Sequence, residues 1–554
     1  MSADLVITGG TVIDGTGTPG VRADVAITDG RVTEIGVGLA GDAELDATGH
    51  VVAPGFIDIH THYDAQVFWD PSLTPSCFHG VTTVVAGNCG FSIAPTRPRH
   101  RDLIARTLEN VEDMNVASLA AGIPWDFETF PEYLASVARH GVGLNYTAYV
   151  GHTPLRLFVM GDEAYERTAT PEEIAGMQAV LRESLEAGAA GFATSFAVTH
   201  RGAGGKPIPS RWADKAELAA LLDTVGEVGR GVVSIAPGEQ CLPGDMADLQ
   251  RKVGVPFTWG ALLTFPGGRH VKALEANHRD WEDGAQVWPQ VTPRPLAFSM
   301  TLAEPFTLNV NAEFGALLAS GPAERRAAYA SAEWRQGALD AWTAKPGFSV
   351  PRWETYEIME SSKHPELVGR RLTEVAGDRQ PFDVVLDLAL DEPDLGLRVR
   401  AVLANDDPAG IAELLVEEHC TLGLSDAGAH VGQLCDAPQA TDFLGNWVRD
   451  RALMPLEVGI RKLSGQQADI FGLVDRGYLR PGGFADVVVF DPDTVDPGPI
   501  RRVRDFPADA ERLTADQPVG IRHVVVNGTP IQVDGRVVEG PPPGQVVKPG
   551  PRAR

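Results

Sequence analysis

Residues Gly55-Phe56-Ile57-Asp58-Ile59-His60-Thr61-His62-Tyr63-Asp64 hold the reading on which the fold turns. A short apolar run ends in two histidines at i and i+2. Side chains alternate faces along a strand, so this spacing turns both imidazoles to the same side. Imidazole is the commonest side-chain metal ligand. Two of them at the end of a buried strand make half a metal site, and a bound metal opens hydrolytic chemistry at neutral pH. Two unrelated histidines on a strand edge share that spacing, so the surrounding chain has to decide.

Downstream, strand-like and helix-like segments alternate over residues 54–475. Apolar strand candidates are Val81–Val85, Leu144–Val150, Ala190–Thr194, Gly231–Ile235, Pro256–Gly260 and Cys420–Leu424. Helices lie between them. Thr170-Pro171-Glu172-Glu173 is a helix start, with an N-cap threonine, proline at N1 and glutamate at N3. Ile174, Met177, Leu181 and Leu185 then mark one apolar face. Repeated β–α units imply parallel strands in an α/β fold, and a (β/α)8 TIM-like barrel is the closed form expected. Residues 303–385 break the rhythm with helical stretches and loops rich in Trp, Pro and Glu. They read as a helical insertion or lid, because ordinary connections are far shorter.

The two ends of the chain share a different style. Residues 1–53 and 476–540 are short alternating strands joined by Asp29-Gly30, Asn527-Gly528 and Asp534-Gly535, dipeptides that favour hairpin turns. Neither end is large enough for a core of its own, so together they are expected to build one small β-sandwich domain. Residues 541–554, opening Pro541-Pro542-Pro543-Gly544, read as an extended tail.

Composition narrows the function. The 554 residues carry a formal charge of −27, with acidic residues spread along the chain. That excludes nucleic acid and anionic membranes as partners, since both demand basic surface. No apolar run approaches the roughly 20 residues of a membrane span, and Met1-Ser2-Ala3-Asp4 has no signal-peptide character. Five cysteines without paired spacing point to a reducing, cytoplasmic setting. A small-molecule substrate and a homo-oligomeric enzyme are the expectation.

Active sites of such barrels gather where the strands end at the C-terminal face, and five polar signals fall there. His60 and His62 close the first strand. Gly87-Asn88-Cys89-Gly90 follows the second, and Gly151-His152 the third. His200 and Arg201 lie in the loop after the fourth. Ser425-Asp426-Ala427-Gly428-Ala429-His430 follows the last. An aspartate ending an apolar strand can reach a metal at the barrel axis and accept a proton from water; the same residue type also caps helices. Cys89 reads equally as a thiolate ligand or a core thiol. His152, His200 and His430 are candidates for orienting substrate or polarising a carbonyl, though a lone histidine is as readily structural. Arg201 is a candidate anchor for a substrate carboxylate, or a solvated surface arginine.

Val52-Ala53-Pro54-Gly55-Phe56-Ile57-Asp58-Ile59-His60-Thr61-His62 resembles the first-strand motif of the amidohydrolase superfamily. Tyr63-Asp64, Gly87-Asn88-Cys89-Gly90-Phe91-Ser92, Ser425-Asp426 and Leu479-Arg480-Pro481-Gly482-Gly483-Phe484-Ala485-Asp486-Val487-Val488 resemble its N-acyl-D-amino-acid deacylase (D-aminoacylase) branch. The resemblance implies a barrel with a sandwich built from both termini, one or two divalent metals (usually zinc), and hydrolysis of an amide bond. Carried over by motif, His60 and His62 are first-strand metal ligands, Cys89 is the cysteine ligand, and Asp426 is last-strand ligand and general base. Apart from the motif match, His152 or His430 is the expected donor to the oxyanion, and His200 and Arg201 are the expected substrate-binding residues. The branch also places metal-binding histidines at the ends of strands five and six. Here those strands read Val232-Val233-Ser234-Ile235-Ala236-Pro237-Gly238-Glu239 and Phe257-Thr258-Trp259-Gly260-Ala261-Leu262-Leu263-Thr264, without a histidine. One zinc is therefore expected rather than two. The alternatives are a cyclic amide, imide or lactam hydrolase with the same centre, or a non-catalytic scaffold.

Overall fold

The computed structural model describes residues 2–318, 320–344 and 350–551. Residues 319 and 345–349 of the expected insertion, and residues 552–554 of the expected tail, lie outside the described residues.

Eight parallel strands follow one another in chain order around one sheet: β1 Phe56–Asp58, β2 Val81–Ala86, β3 Asn145–Gly151, β4 Gly191–Ser195, β5 Val232–Ala236, β6 Phe257–Trp259, β7 Val287–Val291 and β8 Thr421–Leu422. Sequence order equals spatial order, as short connections between successive β–α units favour. The two ends of the sheet meet just beyond their last residues. Thr61 and Ala427 form a parallel bridge, the His62 N–H donates to the Ala427 carbonyl at 2.7 Å, and Ser425 Oγ donates to the His60 carbonyl at 2.8 Å. The contacts that close the barrel thus run through the two motifs that carry its chemistry.

Strands β2, β3 and β5 are buried along their whole length, which is why their sequences read as apolar runs. Strand β7 was not anticipated. Its sequence, Val287-Trp288-Pro289-Gln290-Val291, has a proline in a central position, normally a mark against a strand. The sheet accepts it: Pro289 lies opposite Trp259, and the Gln290 carbonyl still receives the Leu262 N–H at 2.9 Å.

The two chain ends join in one sheet. Val51–Pro54, which leads into β1, pairs antiparallel with Val487–Phe490, and that strand continues through Ile521–Val526, Thr529–Val533 and Arg536–Val537. The long strand Ala3–Val12 shifts register between Ile7 and Gly10. Its first half pairs with Gly41–Asp46 and its second with Val51–Pro54. Such a break lets a sheet bend, and the sheet encloses a core that includes Leu5, Ile7, Val25, Val32, Val487 and Val525. Residues 541–551 dock on the barrel: the Tyr146 N–H donates to the Gln545 carbonyl and the Val547 N–H to the Tyr146 carbonyl, both at 2.8 Å.

Residues 294–408 with 432–434 form a second compact unit. It carries the helices expected within 303–385, including Pro322–Ala330 and Pro381–Asp391. It also has an antiparallel sheet of Leu296–Thr301, Arg398–Ala404 and Glu357–Glu360. Two of those strands lie outside 303–385, where short alternating segments resemble the barrel rhythm. Phe314, Tyr329, Trp342, Ile358, Phe382 and Val399 belong to a core internal to this unit. Among the described residues no helix is long and apolar enough to cross a membrane.

Candidate metal centre

His60 and His62 follow β1 closely, with ring centroids 5.5 Å apart; Thr61 between them is fully buried. The i, i+2 spacing does what strand geometry requires. Cys89 arrives from the turn after β2, where Gly87, Cys89 and Gly90 all have positive φ. A side chain at Gly87 would put its Cβ 2.7 Å from the Tyr149 carbonyl oxygen, so the close approach requires glycine. Asn88 holds this turn to β1: its amide donates to the carbonyls of Val85 (2.9 Å), Ile59 (3.2 Å) and Thr61 (3.3 Å). The Asn-Cys-Gly motif is therefore a staple that carries a thiol.

The donor atoms of His60, His62 and Cys89 all lie within 4.8 Å of one another. That span suits ligands around one ion with metal–nitrogen and metal–sulfur bonds of roughly 2.0–2.3 Å. Cys89 Sγ is 3.6 Å from His60 Nε2. Asp426, after β8, places Oδ1 3.1 Å from His60 Nε2 and 3.7 Å from His62 Nε2. It touches both imidazoles without joining the set of three mutually close donors. Asp426 and His430 both have positive φ, 45° and 49°, a strained conformation of the kind that collects at functional sites.

Charge at the centre favours a cation. Burial pushes the Asp426 carboxyl up, but His60 and His62 together outweigh it and hold the group well below its ordinary value. Burial likewise opposes ionisation of Cys89, and the two imidazoles reverse that and lower the thiol. The His60 ring responds in the opposite sense: against burial, Asp426 and Cys89 raise it to about 10. The half-buried Asp426 carboxylate and Cys89 thiol thus favour positive charge between them, which protonated imidazoles or a divalent cation can supply.

Two residues behind the histidines were not anticipated. His60 Nδ1–H donates to Gln290 Oε1 at 2.5 Å, while the Gln290 amide donates to Thr258 Oγ1 at 3.2 Å. This fixes the amide and turns His60 Nε2 toward Asp426 and Cys89. Gln290 was hidden because β7 was hidden. Glu112, the last residue of helix α1 (Arg101–Glu112), puts Oε1 3.4 Å from His62 Nδ1 and Oε2 3.7 Å from His430 Nε2. Its only sequence signal is an acidic residue at a helix C-terminus, the end that prefers cations.

The remaining candidates separate. His430 reaches the centre through Glu112. His200 is half-buried, shares a hydrogen bond at Nδ1 with Ser195 Oγ at 2.6 Å, and meets the Phe91 ring edge to face. Burial first, then the nearby His430 and His62, push its pKa down to about 3, so it is a neutral imidazole. Arg201 is exposed, with Nη1 on the Gly205 carbonyl at 3.3 Å. Arg211 is near enough for Arg201 to lower its pKa after burial; neither guanidinium forms a carboxylate ion pair among the described residues. His152 is the correction. Its Nε2–H donates to Glu217 Oε1 and its Nδ1 meets Thr194 Oγ1, both at 2.8 Å. Glu217 also pairs with fully buried Arg156. With both ring nitrogens taken inside this network, His152 has nothing to offer a substrate carbonyl. Strand β5 ends on Ala236 and β6 on Trp259; a Cβ at Gly260, just past β6, would stand 3.5 Å from His60 Cε1, so that strand end faces the centre without a ligand.

Comparison with known proteins gives a consistent result. The model of the amidohydrolase family matches residues 43–346 and 393–532. D-aminoacylase of Alcaligenes xylosoxydans xylosoxydans is 30% identical, over 95% of this chain and 94% of that protein. N-acyl-D-glutamate deacylase of the same organism is 29% identical, over 95% and 93%. A crystal structure of N-acyl-D-glutamate deacylase from Bordetella bronchiseptica, complexed with zinc and a phosphonate mimic of the tetrahedral intermediate, superposes with a TM-score of 0.67 at 29% identity, over 99% of this chain and all of that one.

Proposed function

The chain belongs to the amidohydrolase family and is an enzyme of carbon–nitrogen amide bonds; from that premise we propose that it deacylates a small N-acyl amino acid. His60, His62 and Cys89 would hold one divalent cation, zinc by the mixed nitrogen–sulfur donor set. The observation that carries the reading is Asp426 Oδ1, 3.1 and 3.7 Å from the two imidazoles and outside the triad of close donors. The empty-handed ends of β5 and β6 favour one ion over two.

A zinc ion bound there supplies Lewis acidity, polarising the scissile carbonyl and easing deprotonation of water near neutral pH. Asp426 accepts the proton of the attacking water at its carboxylate and then returns it to the leaving amide nitrogen. Its depressed pKa keeps it ionised and ready as a base across the neutral range. His430 is the donor left to face the oxyanion once His152 is committed elsewhere. Arg201, with Arg211 beside it, binds the substrate carboxylate, which favours an acyclic N-acyl amino acid over a neutral cyclic amide. The names of the relatives favour the D-configuration.

Metal analysis joined to a substrate screen tests this. Purified protein is expected to hold about one zinc per chain and to hydrolyse N-acetyl-D-amino acids in preference to L-isomers and hydantoins. The His60→Ala/His62→Ala variant should lose both metal and activity. A protein that takes up no zinc in zinc-replete medium is a scaffold, and the proposal fails.

A further inference from the structure

Helix α1 ends on a carboxylate in an improbable place. Glu112 is 3% exposed and sits at the end of the helix where the macrodipole is negative. Among the described residues no lysine or arginine pairs with it. Its neighbours are His62 Nδ1 at 3.4 Å and His430 Nε2 at 3.7 Å. The main chain reinforces the contact: the Glu112 carbonyl accepts the His430 N–H at 2.5 Å. One residue thus grips the β8 loop by its backbone and two imidazoles by its side chain.

We infer that Glu112 is a positioning residue for the metal centre: its carboxylate keeps the proton of His62 on Nδ1 and aims Nε2 at the cation. A carboxylate only accepts, so the ring nitrogen facing it carries the hydrogen. At 3.4 Å the contact is longer than an ordinary N–H···O bond and acts mainly through charge. His60 provides the internal comparison. Its Nδ1 faces the neutral amide oxygen of Gln290. The two histidines of one motif therefore have unlike backing, neutral behind His60 and anionic behind His62. An anionic partner raises the basicity of a ligating imidazole, and loss of such partners typically weakens metal binding 10–100-fold. His62 is accordingly the stronger nitrogen donor, and Glu112 offsets part of what the histidine-free ends of β5 and β6 withhold.

The inference rests on the zinc site proposed above, and the test separates the two. Full-length wild type, Glu112→Gln and Glu112→Leu are titrated with zinc against a chromophoric chelator, and the visible spectrum of the cobalt-loaded proteins is recorded beside far-UV circular dichroism. Glutamine can still accept from Nδ1–H, so Glu112→Gln should bind zinc about tenfold more weakly, whereas Glu112→Leu should approach a hundredfold. The cobalt ligand-field bands should shift in both, a signature that mere loss of packing does not produce. Zinc affinity within twofold of wild type in folded Glu112→Gln, with an unchanged cobalt spectrum, overturns the inference, and that variant decides alone if Glu112→Leu does not fold. Wild type that binds no zinc overturns both readings; wild type that binds while the variants bind equally well overturns this one only.

Discussion

Asp426 stands where two kinds of role meet, close to both imidazoles yet outside the triad they make with Cys89. If the three mutually close donors carry the cation, removing the carboxylate's charge should strike proton transfer first. Asp426→Asn is expected to lower kcat/KM by roughly 10²–10⁴-fold while zinc content stays near that of wild type, read by steady-state kinetics and elemental analysis on the same preparation. Activity within tenfold of wild type would remove Asp426 from the proton path; parallel loss of zinc would make it chiefly a ligand. At this scale legibility depended on sequence distance. The convergence of His60, His62 and Cys89 was legible because strand alternation and a glycine-bracketed turn are local. His152 could not be sorted from them: a histidine after an apolar strand looks the same whether it faces substrate or a carboxylate 65 residues further on, as His152 faces Glu217. Gln290 and Glu112 were invisible for the converse reason, since nothing near either residue in the chain says what it will touch.

Helices announced themselves by their ends. The signal Thr170-Pro171-Glu172-Glu173 became helix Pro171–Ala187 with both hydrogen bonds of a capping box. Strands announced themselves by burial, and β7 failed to because Pro289 breaks the apolar run that parallel strands otherwise display. The capping box gives a prediction with a pH sign. Hydrogen bonds from Arg167 lead the causes that lower the Glu173 carboxyl from 4.5 to about 2, outweighing partial burial, with the Thr170 N–H assisting. A depressed carboxyl contributes stability that is complete above its unfolded value and fades as pH falls toward its folded one. Glu173→Gln should therefore lower the urea midpoint at pH 7, and the gap from wild type should shrink between pH 4.5 and pH 2. Thr170→Ala, which removes a neutral acceptor, should cost about 1 kcal/mol with no such pH dependence. Equal gaps at pH 7 and pH 3 for Glu173→Gln would show that the ionised pair contributes nothing.

Across the whole chain, chemistry and stability are assigned to opposite ends of the same strands. Each proposed ligand lies past the C-terminal end of a barrel strand, whereas the last described residues dock near the N-terminal end of β3. There Gly544 lies so close to the Leu144 carbonyl that a Cβ would stand 2.1 Å from it. The Asn527 side-chain amide donates to the Pro543 carbonyl at 2.8 Å, Tyr146 exchanges two backbone hydrogen bonds with the segment, and the Gly550 N–H donates to the Gly472 carbonyl at 2.8 Å. Proline and glycine content alone does not tell a docked segment from a solvated one; the backbone partners of Tyr146 do. Deleting residues 540–554 would leave the Tyr146 N–H and carbonyl, both in buried surroundings, without partners. Each orphaned buried group costs about 1–3 kcal/mol, offset in part by the entropy regained on releasing about a dozen residues. The truncated protein should therefore unfold at lower urea and temperature, while its zinc content and its kcat/KM per folded molecule stay within twofold of the full chain, because no residue of the centre is touched. Unchanged stability would mean that water replaces these partners without loss. A collapse of kcat/KM in protein that is still folded and zinc-loaded would mean that the floor of the barrel governs its mouth, which the separation of docking contacts from ligands along the strands does not allow.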